Sequence, residues 1–209
     1  MALLNKKTRQ IMLYQMGYYK DEIDGKWGKN SKNATGEFQK DHDLKVDKIY
    51  GKDTDATLRV EYAKFIKGNM SKEDWKQIKY HTPGEFDCNC GCGYDSVSKQ
   101  LVFNLDTLRY ELGHVLSYSS TNRCKKHNKN SGGATNSRHY NSEKGCKAAD
   151  VRKNKSTDTL AKRKKVCDNW IKYYPNTRYA YCNGYGNNLG KKSKPYYPKM
   201  GSSVHLDVK

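Results

Sequence analysis

The residues best placed to do chemistry lie in the second half of the chain. His139 and Asp150 fall in Ser137-Arg138-His139-Tyr140-Asn141-Ser142-Glu143-Lys144-Gly145-Cys146-Lys147-Ala148-Ala149-Asp150, and His205 falls in Val204-His205-Leu206-Asp207-Val208. Two imidazoles and a carboxylate are donors of the type that catalytic zinc takes, with a fourth position left for water. Zinc so held lowers the pKa of that water toward about 7 and polarises a carbonyl, the chemistry of amide hydrolysis. Spacing alone is a weak signal, because a lone histidine is more often a surface or core residue than a ligand. Val204 to Val208 reads as a strand, and residues i and i+2 of a strand point to one face, so Asp207 accompanies His205. There it either deprotonates the water or orients a ligand imidazole. Glu143 is an outside candidate for the base. Ser137 is expected to support the site by hydrogen bonding, since no Ser-His-Asp pattern accompanies it.

All seven cysteines, Cys88, Cys90, Cys92, Cys124, Cys146, Cys167 and Cys182, follow residue 84. They invite a second metal-site reading, but Cys-x-Cys-x-Cys lacks the C-x₂₋₄-C start of common structural zinc sites, which makes that the lesser alternative. The expectation is therefore disulfides or buried thiols, with a link between the Cys88 region and Cys124 left open.

The elements that must position these groups divide the chain. Residues 1–66 read as three short helices separated by glycine turns: Thr8 to Met16, one capped by Ser31, and one started by Thr54. Residues 67–83 read as a linker, in which Gly68 ends a helix and Ser71 with Asp74 caps a short new one. Residues 84–209 read as a second domain. Leu101, Leu105, Leu108 and Leu112 recur at helical spacing before Gly113, and a further helix covers Asp158 to Tyr174, with Leu160, Val166, Trp170 and Ile171 inward. Val115 to Ser119, Tyr179 to Tyr185 and Val204 to Val208 read as strands. Strands with segregated helices predict an α+β domain.

Lys and Arg number 40 against 22 Asp and Glu, a net charge of +18. That balance points to a polyanionic partner: nucleic acid, an anionic membrane or a phosphate-rich bacterial wall. A solvated basic surface is the plainer reading. No helix-turn-helix, RRM or zinc-finger spacing supports nucleic acid. No window nears the roughly 20 apolar residues of a membrane span, and Met1 to Lys7 lacks a signal-peptide apolar region. The expectation is a monomer made in the cytoplasm.

Two stretches resemble known families. Gly17-Tyr18-Tyr19, Ile23-Asp24-Gly25-Lys26-Trp27-Gly28, Phe38-Gln39 and Ile49-Tyr50-Gly51-Lys52-Asp53-Thr54 resemble the peptidoglycan-binding domain type 1 family over about residues 8–60. The likeness implies a saccharide-peptide groove, for which Trp27 and Tyr18 are the candidate contacts; a ligand-free bundle with both in its core is the lesser alternative. Lys48 stands where the second half-repeat usually has glycine. Ser120-Thr121-Asn122-Arg123, Gly132-Gly133, Ser137-Arg138-His139, Ala148-Ala149-Asp150 and His205-Leu206-Asp207 follow the order of the zinc D-Ala-D-Ala carboxypeptidase family over about residues 84–208. That resemblance implies an α+β fold with a central antiparallel sheet and zinc on His139, Asp150 and His205. It also implies a substrate-carboxylate contact from Arg123, whose guanidinium suits it. The chain departs from the pattern by lacking glycine before Arg123 and by four extra residues between His139 and Asp150.

Together these readings predict a zinc peptidase cutting an amide bond in bacterial peptidoglycan. A phage-type endolysin, acting on the wall after release from the host cytoplasm, is the expected setting. Because Hedgehog-type signalling domains resemble this family in fold, a non-catalytic zinc-containing wall-binding protein is the alternative.

Overall fold

A computed structural model of the chain describes residues 2–140, 145–188 and 201–209. It divides into two compact units, one ending at Lys67 and one beginning at Gly68.

The first unit is built from α1 (Lys6–Gln15), α2 (Lys29–Asp41) and α3 (Lys52–Phe65). Ile11, Leu13, Phe38, Leu58 and Tyr62 form its buried core. Asn5 caps α1 by accepting from the Thr8 amide, and Gly17 leaves the helix at φ +88°. Ser31 and Thr54 do not cap their helices; Gly28 and Gly51 do. Both hydroxyls are instead buried one turn in, each meeting a glutamine.

That glutamine device occurs twice. Gln10 Nε2 donates to Asp24 Oδ1 (3.1 Å), the Lys26 carbonyl (2.8 Å) and Ser31 Oγ (3.2 Å), while its Oε1 accepts from the Gly25 amide (2.7 Å). Gln39 Nε2 donates to Asp47 Oδ1 (2.9 Å), the Ile49 carbonyl (3.1 Å) and Thr54 Oγ1 (3.1 Å), while its Oε1 accepts from the Lys48 amide (2.9 Å). A buried amide that satisfies several loop groups at once fixes the loop, since each would be costly to bury alone. Gly25 sits at φ +79° and its counterpart Lys48 at φ +58°. The second turn therefore keeps its form without glycine and holds a lysine in the left-handed region, which costs about 1–2 kcal/mol.

The second unit starts earlier than the sequence suggests. Residues 68–83, expected as linker, are hydrogen-bonded into it: Lys99 N donates to the Gly68 carbonyl, Met70 N to Val97, and Tyr80 N to Asp106 Oδ1. Lys99 Nζ meets Asp74 Oδ1 at 2.6 Å, and His81 is buried. Within this stretch α4 (Lys72–Trp75) has the expected Ser71/Asp74 capping box. A 3₁₀ turn, Pro83–Phe86, leads to α5 (Lys99–Leu112), which Gly113 ends at φ +64°.

The remaining elements are β1 (Tyr118–Ser120), α6 (Lys125–Asn130), β2 (Ala148–Val151), α7 (Leu160–Tyr173), β3 (Thr177–Cys182), β4 (Tyr185–Asn188) and β5 (Val204–Val208). The strands form one antiparallel sheet in the order β1-β2-β5-β3-β4. The architecture is α+β, as expected. Three details differ. The first strand falls at Tyr118–Ser120 rather than Val115–Ser119, and Val115 is exposed. Tyr179 to Tyr185 is not one strand but the middle of a hairpin, turning at Asn183 and Gly184, both with positive φ. Leu160 begins α7 and is 38% exposed rather than inward. On the sheet, α5 and α7 pack with Leu101, Leu105, Val166 and Trp170 buried, and Ala149, Leu206 and Ala180 pair across three strands as a fully buried row.

Candidate metal centre

The alternate row of the sheet carries chemistry. Ser120 pairs with Asp150, Asp150 with His205, and His205 with Tyr181, so four side chains from β1, β2, β5 and β3 stand side by side. Cross-strand neighbours share a face, which brings residues 55 positions apart, Asp150 and His205, into contact. His205 Nδ1 lies 2.7 Å from Asp150 Oδ1. Tyr181 stacks on the His205 ring, with centroids 4.4 Å apart and planes at 21°.

His139 reaches the row from the segment before β2. Its carbonyl accepts from the Arg123 amide (2.9 Å), and its own amide donates to Ser137 Oγ (3.3 Å). Its Nδ1 lies 2.7 Å from the Thr121 carbonyl. A carbonyl only accepts, so Nδ1 carries a proton and Nε2 is the nitrogen turned toward Asp150. That Nε2 is 3.3 Å from Asp150 Oδ2. His139, Asp150 and His205 are all buried, and one donor atom from each lies within 4.8 Å of the others. Two nitrogens and a carboxylate oxygen so converged, with one imidazole fixed by a backbone carbonyl behind it, suit a zinc ion.

Electrostatics bind the cluster together. Burial raises the Asp150 pKa, but hydrogen bonds and charge from His139 and His205 outweigh it and hold the carboxyl well below its ordinary range. Burial lowers the His205 pKa, but Asp150 and Asp207 outweigh it and hold the imidazole up at about 9.

Asp207 lies on the same face as His205, as the strand alternation predicts. It is fully buried, accepts from the Tyr179 amide at Oδ1 (2.6 Å), and presents Oδ2 to Arg178 (3.3 Å) and to His205 Nε2 (3.7 Å). It therefore stands behind the imidazole, on the side away from Asp150. Arg123 is half-buried; its Nε donates to Ser120 Oγ (2.9 Å) and its NH2 group is 3.9 Å from Asp150 Oδ2. In the turn before it, Asn122 donates to the Ser96 carbonyl and Thr121 to that of Glu85. Glu143 lies outside the described residues.

Ser120, Tyr181, Arg178 and Arg138 also belong to this neighbourhood, and sequence reasoning assigned them no role. Burial and the charge of Arg178 lower the pKa of Arg138. Strand alternation marks Tyr181, but only the β3–β5 register brings it to His205.

The other two candidates sit in the first unit. Trp27 meets Tyr50 edge-on at 5.5 Å, with the Arg9 guanidinium 5.3 Å over its ring. Tyr18 packs edge-on against Phe38 and its hydroxyl lies 3.4 Å from His42 Nε2. Both are half-buried. Neither lines the open pocket of about 290 Å³ beside the Gln10 loop, which Tyr19, Asp21, Glu22, Asp24, Lys29 and Ser31 help to form.

No helix among the described residues is long and apolar enough to cross a membrane. A search among curated proteins found no match. Two family models do match: Peptidase M15 over residues 79–181 and a peptidoglycan binding domain over residues 7–58. The first spans His139 and Asp150 and ends before His205. It supports a metallopeptidase, and with the second a cell-wall peptidase. The chain thus joins a peptidoglycan-binding domain to a Peptidase M15 domain.

Proposed function

We propose that the protein is a zinc-dependent peptidase that hydrolyses an amide bond in the stem peptide or cross-link of bacterial peptidoglycan. The reading extends to the D-Ala-D-Ala carboxypeptidase or endopeptidase type and to a phage endolysin that reaches the wall after release from the host cytoplasm. The observation that carries it is the convergence of His139, Asp150 and His205 on one sheet face. Zinc held by these three would polarise the scissile carbonyl and bring a water molecule's pKa toward neutrality.

The chain's own groups have distinct tasks in this reading. The Thr121 carbonyl keeps the His139 proton on Nδ1, and Ser137 holds the His139 backbone. Arg123, half-buried beside Asp150, is the group for a substrate carboxylate, which a guanidinium binds in a fixed two-point geometry. Of the two roles open to Asp207, orientation is the better supported. Its Oδ1 accepts from the Tyr179 amide, its Oδ2 lies at ion-pair distance from Arg178 and from the far nitrogen of His205, and it is fully buried. Trp27 and Tyr18 remain candidates for wall contact in the N-terminal domain. A net charge of +18 favours retention on anionic wall polymers.

The test is digestion of purified peptidoglycan with and without a chelator, with released fragments identified by mass. New amino termini that vanish on chelation and return with zinc are expected. Wall binding without fragments at any metal level would overturn the peptidase reading and leave a zinc-holding wall binder. The fragment masses also distinguish cleavage next to D-Ala from cleavage between L-Ala and D-Glu.

A further inference from the structure

The seven cysteines are free thiols, and of the two expectations, disulfides or buried thiols, Cys146, Cys167 and Cys182 match the second. The other four meet. Cys88, Cys90 and Cys92 come from the loop before α5, and Cys124 comes from the N-cap of α6. Their sulfurs all lie within 4.8 Å of one another. Cys88 Sγ is 3.4 Å from Cys90 Sγ, and Cys90 Sγ is 3.6 Å from Cys124 Sγ. A tetrahedral zinc with Zn–S bonds of about 2.3 Å keeps its sulfurs roughly 3.8 Å apart.

The backbone explains how an unusual spacing achieves this. Gly91 and Gly93 alternate with the cysteines and sit at φ +72° and +70°. These left-handed turns fold the loop back on itself, so thiols two residues apart face one point instead of alternating outward. Hydrogen-bond donors surround the sulfurs. The Cys124 amide donates to Cys88 Sγ (3.3 Å) and the His127 amide to Cys124 Sγ (3.3 Å). His127 Nδ1 lies 3.2 Å from Cys88 Sγ. Donors of this kind steady thiolate ligands. Cys88 is buried while Cys90 and Cys92 are exposed, so an ion has access from solvent.

We propose that Cys88, Cys90, Cys92 and Cys124 form a second metal site, a closed four-thiolate structural zinc centre, with His127 as a hydrogen-bonding neighbour of Cys88. Zinc entry displaces the thiol protons to solvent and involves no redox change. Its effect is positional. Cys124 follows Arg123 directly, and the Arg123 amide bonds the His139 carbonyl. The site therefore ties the Cys88–Cys92 loop to the turn that presents Arg123 and steadies His139. The proposal is independent of whether the His-Asp-His site is catalytic.

The test uses the full chain, purified under reducing conditions. Elemental analysis should give two zinc ions per chain for the wild type and one for both the Cys90→Ser/Cys92→Ser double variant and His139→Ala. Cobalt(II) replacing zinc should give intense near-ultraviolet sulfur-to-cobalt charge transfer in the wild type and in His139→Ala, and none in the double variant. If the double variant fails to fold, the cobalt spectra of the wild type and of His139→Ala decide the matter. Absence of thiolate charge transfer in the reduced wild type, or equal zinc in the wild type and a folded double variant, would overturn the proposal. A wild type that binds a single zinc with the thiolate signature would support this site while counting against the His-Asp-His centre.

Discussion

The two units use buried polar side chains for opposite ends. In the first, the buried amides of Gln10 and Gln39 are neutral, and each is surrounded by loop groups that it satisfies. In the second, the buried polar row is charged: Asp150 is held down by the two histidines, His205 is held up by Asp150 and Asp207, and one donor atom each of His139, Asp150 and His205 converge on one point. Neutral buried groups that look outward to loops are scaffolding. Several charged buried groups that look inward to each other, unlike the single Asp55–Arg59 pair of the first unit, are expensive to fold and point to a site whose charge serves a ligand.

Outside the three ligands themselves, the largest effect is expected at Asp207. If it orients His205, Asp207→Asn should weaken zinc binding at the His-Asp-His centre by about 10–100-fold, measured by competition with a chromophoric chelator, with peptidase activity partly restored by excess zinc. An active-site base would instead lose turnover with zinc affinity unchanged.

Next is Gln10→Ala, which leaves the Gly25 amide and several acceptors without their partner. It should destabilise the first unit by about 1–3 kcal/mol, seen as an earlier thermal transition and weaker sedimentation with peptidoglycan. Zinc content should not change.

Asp55 gives a pH test in the same unit. Burial raises its pKa, but the Leu4 amide, Arg59 and Tyr50 outweigh it and lower it below the ordinary value. A depressed carboxyl adds stability above its unfolded pKa of about 3.9 and loses it as the pH falls through the folded value. The melting-temperature gap between wild type and Asp55→Asn should be constant above about pH 5 and narrow on further acidification. A gap that widened instead would contradict this.

The smallest effect is at Lys48. Lys48→Gly removes left-handed strain but also the contact of the lysine stem over Gly36 and a bond to Asn33. A net gain of roughly 0.5–1 kcal/mol is expected in thermal unfolding.

What the sequence made legible follows from range. The wall-binding module was readable because its turns are local: Asp24-Gly25 and Gly28 announce themselves within a few residues. Ser31 and Thr54 were misread as caps because a local rule does not see Gln10 and Gln39, which claim their hydroxyls from another helix. The types of the three candidate ligands were visible, but not the register that sets Asp150 opposite His205 or Tyr181 beside it, since strand pairing is a long-range choice. Spacing alone does not reveal that the cysteine loop gathers its thiols, because the two left-handed glycines that fold it have no signature apart from glycine itself.

The central claim is that His139, Asp150 and His205 act together as a catalytic zinc centre. The most direct measurement compares wild type and His139→Ala on purified peptidoglycan, scoring new amino termini, zinc content and wall sedimentation together. The variant is expected to lose one zinc per chain and all cleavage above background while still sedimenting with the wall. A variant that keeps full cleavage would contradict the claim.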